Sequence, residues 1–233
     1  DAYLLGGDFD DDAYGWSIYD ADKDGESWNL GYNLFGGDFP EYCHSGKQLL
    51  GSASYSFNNG DITPDNWTIS PVVSVPEEGA MLTWYAAAQS KKRPAEHYSV
   101  YVATEEMIEN PENLNSLEPV FSETLDENKV DEWSYQTIDL KPYAGEDVCI
   151  LFRHHDCTGQ WLLKLDDVFV WTMDKWGNTT GVKTAITDGN AKISSQELFD
   201  VAGRRITTPQ NGVNIIRTTY ADGTVKTTKF IKK

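Results

Sequence analysis

A run of alternating acidic residues near the N-terminus has the spacing of a cation-binding loop. Asp20, Asp22 and Asp24 are followed by Gly25. Alternate carboxylates can turn toward one hard ion while the glycine makes the sharp bend, as in calcium loops. An EF-hand is excluded because its twelfth position, a glutamate, is Gly31 here and flanking helices are absent from the pattern. The alternatives are a calcium site completed from elsewhere in the chain and a solvated loop of Asx turns.

A second run, residues 153–157, reads Arg-His-His-Asp-Cys and holds the residue types of nucleophilic and metal sites. The pair Cys43 and His44 could be brought beside it. However, the four histidines form no HExxH motif and no paired spacing typical of zinc. If the run ends a strand, His154 and His155 face opposite sides, which favours a structural role. We expect no catalytic or transition-metal site and predict that the chain is not an enzyme.

Aromatic residues are abundant, with eight Trp and twelve Tyr. Flat rings could stack on sugars while neighbouring Asp, Asn and Gln bind the hydroxyls, but rings inside predicted strands are expected to fill the core. Loop rings are better candidates because binding residues concentrate on loops held by a scaffold. We predict ligand-binding roles for Trp28, Tyr32, Tyr42 and Trp161.

The overall charge excludes two classes of partner. Subtracting 37 acidic from 19 basic residues leaves −18. Such a chain is repelled by nucleic-acid phosphates and anionic lipid headgroups. No apolar stretch approaches the roughly 20 residues that cross a bilayer, and residues 1–12 lack the features of a signal peptide. Cys43, Cys149 and Cys157 are an odd number, so at most one disulfide can form.

Charge also divides the chain into two domains. Residues 1–177 hold ten Lys/Arg and 33 Asp/Glu, about −23, whereas residues 178–233 hold nine and four, about +5. All eight tryptophans lie in the first part. The Gly/Asn/Thr-rich stretch between them is typical of a linker. We predict a domain over 1–177, a linker over 178–182 and a small basic β unit over 183–233.

The pattern of elements is that of an all-β protein. Short apolar or alternating segments separated by turn residues predict strands at 48–57, 66–75, 81–89, 97–103, 133–140, 148–154 and 161–171. Only residues 104–117 read as helical, with Thr104 as a possible N-cap. In the second part, strands are predicted at 197–200 and 213–229, the latter broken by a hairpin turn at Asp222 and Gly223. We predict a jelly-roll-like β-sandwich followed by a small C-terminal β unit.

Several segments occur in the order of one known family: residues 14–17, 20–28, 52–55, 63–71, 96–101, 152–154 and 165–168. Over residues 10–171 the chain resembles the cleaved-adhesin family, the haemagglutinin/adhesin modules of gingipain-type surface proteins, which are related to choice-of-anchor J domains. The pair TPDNW and LDDV at this separation is the most specific part. This resemblance implies a jelly roll without catalytic residues.

The resemblance also implies a structural calcium between an N-terminal acidic segment and the final strand, with Asp166 and Asp167 as donors. Strict alternation places Leu163, Leu165 and Asp167 on one face and Asp166 on the other, so one aspartate points inward. A half-buried carboxylate without a cation or a donor is costly. The alternative is that this aspartate caps backbone amides. The expected calcium ligands are Asp20, Asp22, Asp24, Asp166 and Asp167.

The C-terminal part resembles, more weakly, the sorting or anchoring tails of Bacteroidetes surface proteins, through residues 198–205, 212–216 and 229–233. This implies a secreted or cell-surface location, on the outer surface of a Gram-negative bacterium. The expected function is non-catalytic adhesion to a host surface protein or glycan, without nucleic-acid binding or membrane insertion. Two alternatives are a structural docking or spacer module of a surface assembly and an accessory binding domain of a larger secreted hydrolase.

Overall fold

A computed structural model describes residues 3–11, 13, 15–130, 132–173, 193–200, 204–206, 212–220 and 225–232. It divides into two compact units, Asp1–Met173 and Asp174–Lys233. The expected linker at 178–182 and the hairpin turn at Asp222 and Gly223 lie outside the described residues. Among the described residues, no helix is both long and apolar enough to span a bilayer.

The first unit is a sandwich of two antiparallel six-stranded sheets. Sheet A contains β1 (Leu5–Gly7), β3 (Asn29–Leu30), β4 (Leu50–Ala53), β9 (Ala80–Ala88), β12 (Ser134–Asp139) and β14 (Leu162–Thr172). Its order is β12-β9-β14-β4-β3, and β1 also pairs with β14. Sheet B contains β2 (Ser17–Asp20), β7 (Asn66–Ile69), β8 (Val73–Ser74), β10 (His97–Ala103), β11 (Phe121–Thr124) and β13 (Asp147–His154). Its order is β11-β10-β13-β7-β2, and β8 pairs with β13.

Short elements connect these strands. A small hairpin pairs β5 (Tyr55–Ser56) with β6 (Gly60–Asp61). The α-helices are α1 (Gly31–Phe35) and α2 (Glu105–Ile108), and the 3-10 helices are Pro40–Tyr42, Pro111–Ser116, Glu127–Lys129 and Lys141–Tyr143. The single helix expected over 104–117 is therefore two short ones. Proline explains the break, since the residue before Pro111 disfavours the α conformation.

The core lies between the two sheets because alternate residues of the central strands are apolar. Leu82 and Trp84 of β9 face Ile150 and Phe152 of β13, and all four are fully buried. The Trp84 and Phe152 rings meet edge to face at 5.7 Å. The all-β, jelly-roll-like sandwich expected from the sequence is confirmed.

A β-bulge in β14 overturns the strict alternation expected for this strand. Asp166 pairs with Tyr85 and Phe169 with Thr83, so β14 contains one residue more than β9 over this interval. Asp167 takes up the extra residue in the left-handed region, at φ 49°. Consequently Leu165 before the bulge and Val168 after it both enter the core, and Asp167 does not share a face with both Leu165 and Phe169.

The second unit is a four-stranded antiparallel sheet. Its strands are β15 (Ile193–Phe199), β16 (Arg205–Ile206), β17 (Gly212–Tyr220) and β18 (Val225–Lys232), in the order β16-β15-β17-β18. Between β15 and β16, Asp200 accepts hydrogen bonds from the Arg204 backbone N–H (2.9 Å) and Nε (2.7 Å). These contacts join the residue that follows β15 to the residue that precedes β16.

Candidate functional site

The acidic loop after β2 gathers three carboxylates. One oxygen from each of Asp20, Asp22 and Asp24 lies within 4.8 Å of the others. Hydrogen bonds to backbone amides hold the shape of the loop: the Asp20 carboxylate accepts from the backbone N–H groups of Lys23 (2.6 Å) and Gly25 (3.0 Å). Burial, the hydrogen bond to Asp20 and the charge of Asp24 raise the pKa of Asp22 to about 6. The loop is thus a set of Asx turns whose carboxylates repel one another. A hard cation that binds oxygen ligands, such as calcium, would reduce this repulsion.

Asp166 and Asp167 lie elsewhere, on the outer side of sheet A beneath residues 44–45. The Oδ2 of Asp166 accepts the backbone N–H groups of His44 (2.8 Å) and Ser45 (3.3 Å), and its Oδ1 accepts the N–H of Asp167 (2.8 Å). Asp167 contacts the His44 ring nitrogen Nδ1 (2.6 Å) and the Ser45 hydroxyl (2.9 Å). Burial and then the charge of Asp167 raise the pKa of Asp166 to about 7. The two aspartates therefore hold the loop at residues 44–45 against sheet A.

The five aspartates expected to share one calcium therefore form two groups. Asp20 ends an edge strand of sheet B, whereas Asp166 pairs with Tyr85 in the middle of sheet A. The expectation that Cys43 and His44 could lie beside the 153–157 run is wrong. His44 stacks on Tyr85 of sheet A, with ring centroids 3.5 Å apart, whereas the 153–157 run begins at the end of β13 in sheet B. All three cysteines are free thiols.

The four expected ligand-binding rings have different environments. Trp28 is a core residue, only 1% exposed, and its Nε1 donates to the Asn66 carbonyl (2.9 Å); the expectation that it binds ligand is wrong. Its loop turns inward because the indole fills the end of the core. Tyr42 is half-buried and packs on Phe39 at 5.5 Å. Tyr32 is 56% exposed and Trp161 is 37% exposed.

Trp161 belongs to an aromatic group at the surface that we call the aromatic platform: the half-buried Tyr55 and the exposed Phe57 and Trp161. Phe57, at the turn of the β5–β6 hairpin, is 85% exposed. Its ring meets Tyr55 at 5.7 Å and Trp161 at 6.5 Å, both nearly perpendicular. A group of neighbouring rings at the surface is the kind of apolar patch that marks an interaction site.

Two concavities flank the aromatic platform. One, of about 380 Å³, is also lined by Ser90, Arg93 and Gln160. The other, of about 370 Å³, adds the polar side chains of Glu26, Asn29, Asn33, Ser56 and Asn58. Arg93 donates to Asp61 (3.2 Å) and to the Gly159 carbonyl (2.9 Å). Apolar rings bordered by a few fixed polar groups are the usual composition of a small-ligand site.

The loop carrying Trp161 is held by backbone contacts to Ser54. The Ser54 Oγ accepts the N–H groups of Gln160 (3.0 Å) and Trp161 (3.1 Å). Gly159 is left-handed, at φ 61°, and a Cβ there would come within 2.7 Å of Asp61. A residue other than glycine would have to displace the Asp61 side chain and adopt a left-handed backbone conformation that L side chains rarely take.

Beneath the aromatic platform lies a polar end of the core. Glu96 and His154 are fully buried, and Glu96 Oε2 lies 2.9 Å from His154 Nε2. Ser54 donates to Glu96 Oε1 (3.0 Å), and Cys157 lies 3.2 Å from His154 Nε2. Burial and then the Glu96 charge raise the pKa of Cys157 to about 12. The thiol therefore keeps its proton at neutral pH, the reverse of an activated cysteine.

Sequence reasoning missed three of these residues, and a signal existed for two. Glu96 has the parity of Tyr98 and Val100 in β10, which predicts an inward side chain. Phe57 directly precedes the Asn-Asn-Gly turn, which marks it as a hairpin-tip ring. Tyr55 carried no separate signal, because its place at the surface depends on the break after Ala53 that begins the small hairpin.

Comparison with known proteins places this architecture in a family. The sequence profile of the Cleaved Adhesin Domain matches residues 7–170. Hemagglutinin A of Porphyromonas gingivalis (strain ATCC BAA-308 / W83) is 33% identical over 187 residues, 72% of this chain and 8% of that protein. Lys-gingipain W83 of Porphyromonas gingivalis is 29% identical over 193 residues, 77% of this chain and 10% of that protein. The chain thus spans a small part of each relative.

A solved structure shows the same fold. The K3 cleaved adhesin domain of Lys-gingipain from Porphyromonas gingivalis W83 is 29% identical, with a TM-score of 0.60 over 72% of this chain and 97% of that domain. The matched region coincides with the two-sheet sandwich and includes the 153–157 run, the Trp161 loop and the bulged final strand. By sequence and by structure, the chain belongs to the Cleaved Adhesin Domain family.

Proposed function

We propose that this chain is a non-catalytic binding module of a secreted or cell-surface adhesin and that it binds a glycan on the aromatic platform. The observation that carries the proposal is the 85% exposure of Phe57 beside Trp161 and Tyr55. Membership of the Cleaved Adhesin Domain family supports adhesion, as does the likeness to a protein named hemagglutinin.

A sugar suits this surface for two physical reasons. The apolar face of a pyranose ring packs on an aromatic ring, and Phe57 and Trp161 present rings to the two concavities. Hydroxyl groups need fixed donors and acceptors around that face, and Arg93, Gln160 and the asparagines on the other side supply them. Electrostatics favours a neutral sugar, because the chain carries −18.

The polar cluster under the platform supports a non-catalytic role. In a Cys-His-acid triad the acid binds the histidine nitrogen opposite the nucleophile. Here His154 Nδ1 contacts the Ser52 hydroxyl (2.9 Å), while Glu96 and Cys157 both face Nε2. Glu96 therefore competes with the thiol for the same nitrogen and does not orient the ring for catalysis.

We also propose a structural calcium in the loop of Asp20, Asp22 and Asp24. The donor set fits, because three carboxylate oxygens approach one another and calcium prefers oxygen ligands. The Asp166 and Asp167 pair fits less well, since both Asp166 oxygens already accept backbone N–H groups. Bound calcium would neutralise the repulsion within the loop that joins β2 to Trp28.

For the C-terminal unit we propose sorting or anchoring at the bacterial surface. Its charge of about +5, nine basic minus four acidic residues from 178 onward, contrasts with the acidic sandwich. A basic unit can attach to an acidic surface component, and such attachment should weaken as salt rises.

The proposal is tested by screening the full chain on a glycan array and measuring affinities of the hits by calorimetry. We expect saturable binding that Phe57→Ala and Trp161→Ala each weaken. Tyr32→Ala is the matched control, because Tyr32 is 56% exposed but does not line either concavity. Binding to host proteins but to no glycan, still lost in Phe57→Ala, would keep the site and contradict the ligand class.

A further inference from the structure

Three metal-ligating atoms converge at the polar end of the core. Glu96 Oε2 lies 2.9 Å from His154 Nε2, Cys157 Sγ lies 3.2 Å from the same nitrogen, and Cys157 Sγ lies 3.5 Å from Glu96 Oε2. Two of the side chains are fully buried and Cys157 is partly buried. The three atoms form a small triangle with a common centre.

The size and chemistry of this triangle suit zinc. Bond lengths of about 2.0–2.3 Å in a tetrahedral site put N, O and S ligands about 3.3–3.6 Å apart. The Glu96–His154 and Cys157–His154 edges, at 2.9 and 3.2 Å, are shorter than this by a few tenths of an ångström, and the Cys157–Glu96 edge, at 3.5 Å, falls within the range. Histidine, cysteine and a carboxylate are the three common zinc ligands.

Charge balance points the same way. A glutamate and a thiolate carry two negative charges, which a divalent cation cancels when the histidine is neutral. The buried Glu96 carboxylate already accepts from Ser54 and contacts His154 and Cys157, and a bound divalent cation would leave this group without net charge. Zinc would displace the proton that the Cys157 thiol otherwise keeps, since zinc binds thiolates.

Outer hydrogen bonds already orient the ligands. The Ser52 hydroxyl contacts His154 Nδ1 (2.9 Å) and accepts from Asn66 Nδ2 (3.2 Å). Ser54 donates to the second oxygen of Glu96 (3.0 Å). Metal-binding histidines and carboxylates are usually held in this way, with the nitrogen or oxygen that faces away from the ion hydrogen-bonded to the protein.

We propose that Glu96, His154 and Cys157 bind a zinc ion that fastens the 157–161 loop to the core. Cys157 begins the loop that carries Trp161, and His154 ends β13, so the ion ties the loop to the sheet. Three protein ligands leave one position of the tetrahedron open, and the role proposed for the ion is to hold the loop. The proposal departs from the expectation, drawn from the sequence, that the 153–157 run holds no transition-metal site. Glu96 lies 58 residues from His154, and only the pairing of β10 with β13 brings the two together.

Cobalt titration of the metal-free full chain tests this proposal, because cobalt replaces zinc and a cobalt–thiolate bond gives a near-ultraviolet charge-transfer band. We expect one equivalent of Co²⁺ to produce the band and zinc to abolish it. Cys157→Ser should lose the band, whereas Cys43→Ser should retain it. His155→Ala should also retain it, which separates this site from the neighbouring group of His97, His155 and Asp156.

A measurement on the unaltered chain guards against a variant that fails to fold. Thiol alkylation followed by peptide mass spectrometry should show that zinc slows labelling of Cys157 at least tenfold and leaves Cys43 and Cys149 unchanged. Absence of the cobalt band, its persistence in folded Cys157→Ser, or labelling of Cys157 that zinc does not alter would overturn the assignment.

Discussion

Ser54 connects the surface to the buried cluster: its Oγ donates to Glu96 Oε1 at 3.0 Å. The Ser54 Oγ also accepts the backbone N–H groups of Gln160 and Trp161. A serine with one donor and two acceptor positions uses all of them here. Ser54 therefore links the backbone of the Trp161 loop to the buried carboxylate of Glu96.

Trp28 should be a stability residue rather than a binding residue. Its indole is 1% exposed and packs 6.2 Å from the His154 ring. Trp28→Ala should lower the free energy of unfolding by about 3–5 kcal/mol because it leaves a cavity. Tyr32→Ala, at an exposed ring, should change it by less than about 0.5 kcal/mol. Urea denaturation of both variants decides; equal effects would contradict the packing described.

Substitution of Gly159, with Gly25 as the matched control, tests how tightly the Trp161 loop is packed. Both are left-handed, at φ 61° and 87°, but a Cβ at Gly159 would meet Asp61 at 2.7 Å, whereas one at Gly25 meets nothing within 4 Å. Gly25→Ala should cost about 1–2 kcal/mol from backbone strain alone. Gly159→Ala should cost more and should also weaken ligand binding. Thermal melts and calorimetry test both; ligand binding that Gly159→Ala leaves intact would show that the loop tolerates displacement.

Asp166 should make stability depend on pH. Its pKa of about 7 in the folded chain exceeds the unfolded value of about 3.9. Folding thus favours the protonated form, so the stability contributed by Asp166 is fully present below about pH 4 and is lost as pH rises through about 7.

Comparing Asp166→Asn with the unaltered chain isolates this group. Between pH 4 and 8, the unaltered chain should lose up to about 4 kcal/mol relative to the variant. Glu118→Gln, at an exposed residue, is the control and should follow the unaltered chain. Parallel stability profiles for Asp166→Asn and the unaltered chain would mean that Asp166 is ionised throughout.

Calcium should stabilise the sandwich through the Asp20 loop. A ligand present at 100 times its dissociation constant adds about 2.7 kcal/mol to the folded state. The melting temperature should rise with calcium, fall with chelator and lose this response in Asp22→Asn, while Glu118→Gln keeps it. Identical melting curves with calcium and with chelator would exclude the metal, and an undiminished response in Asp22→Asn would place it elsewhere.

The sandwich could be predicted from the sequence because alternation is a local property. The parity of residues 148–154 predicts that Phe152 and His154 share one side and Arg153 the other, and the structure places the first two side chains in the interior while Arg153 pairs with Asp65. Alternation failed at Asp166 and Asp167, where a bulge inserts one residue and exchanges the faces beyond it. Nothing in the sequence alone distinguishes a bulged Asp-Asp pair from a regular one.

The candidate site could be predicted only in part because it depends on long-range packing. Trp161 and Trp28 both read as loop rings, yet only the first is exposed, since the loop of Trp28 folds over an open end of the core. The aromatic platform combines the 55–61 hairpin with a loop about 100 residues later. Such pairings follow from strand order, which composition and spacing do not determine.

The most direct test of the binding site is the affinity of a glycan-array hit for the unaltered chain, Phe57→Ala and Tyr32→Ala, measured by calorimetry on folded protein. Stacking on the aromatic platform predicts at least a tenfold loss, about 1.4 kcal/mol, for Phe57→Ala and no change for Tyr32→Ala. Equal affinity in all three proteins, or a folded chain that binds no glycan, would contradict the account.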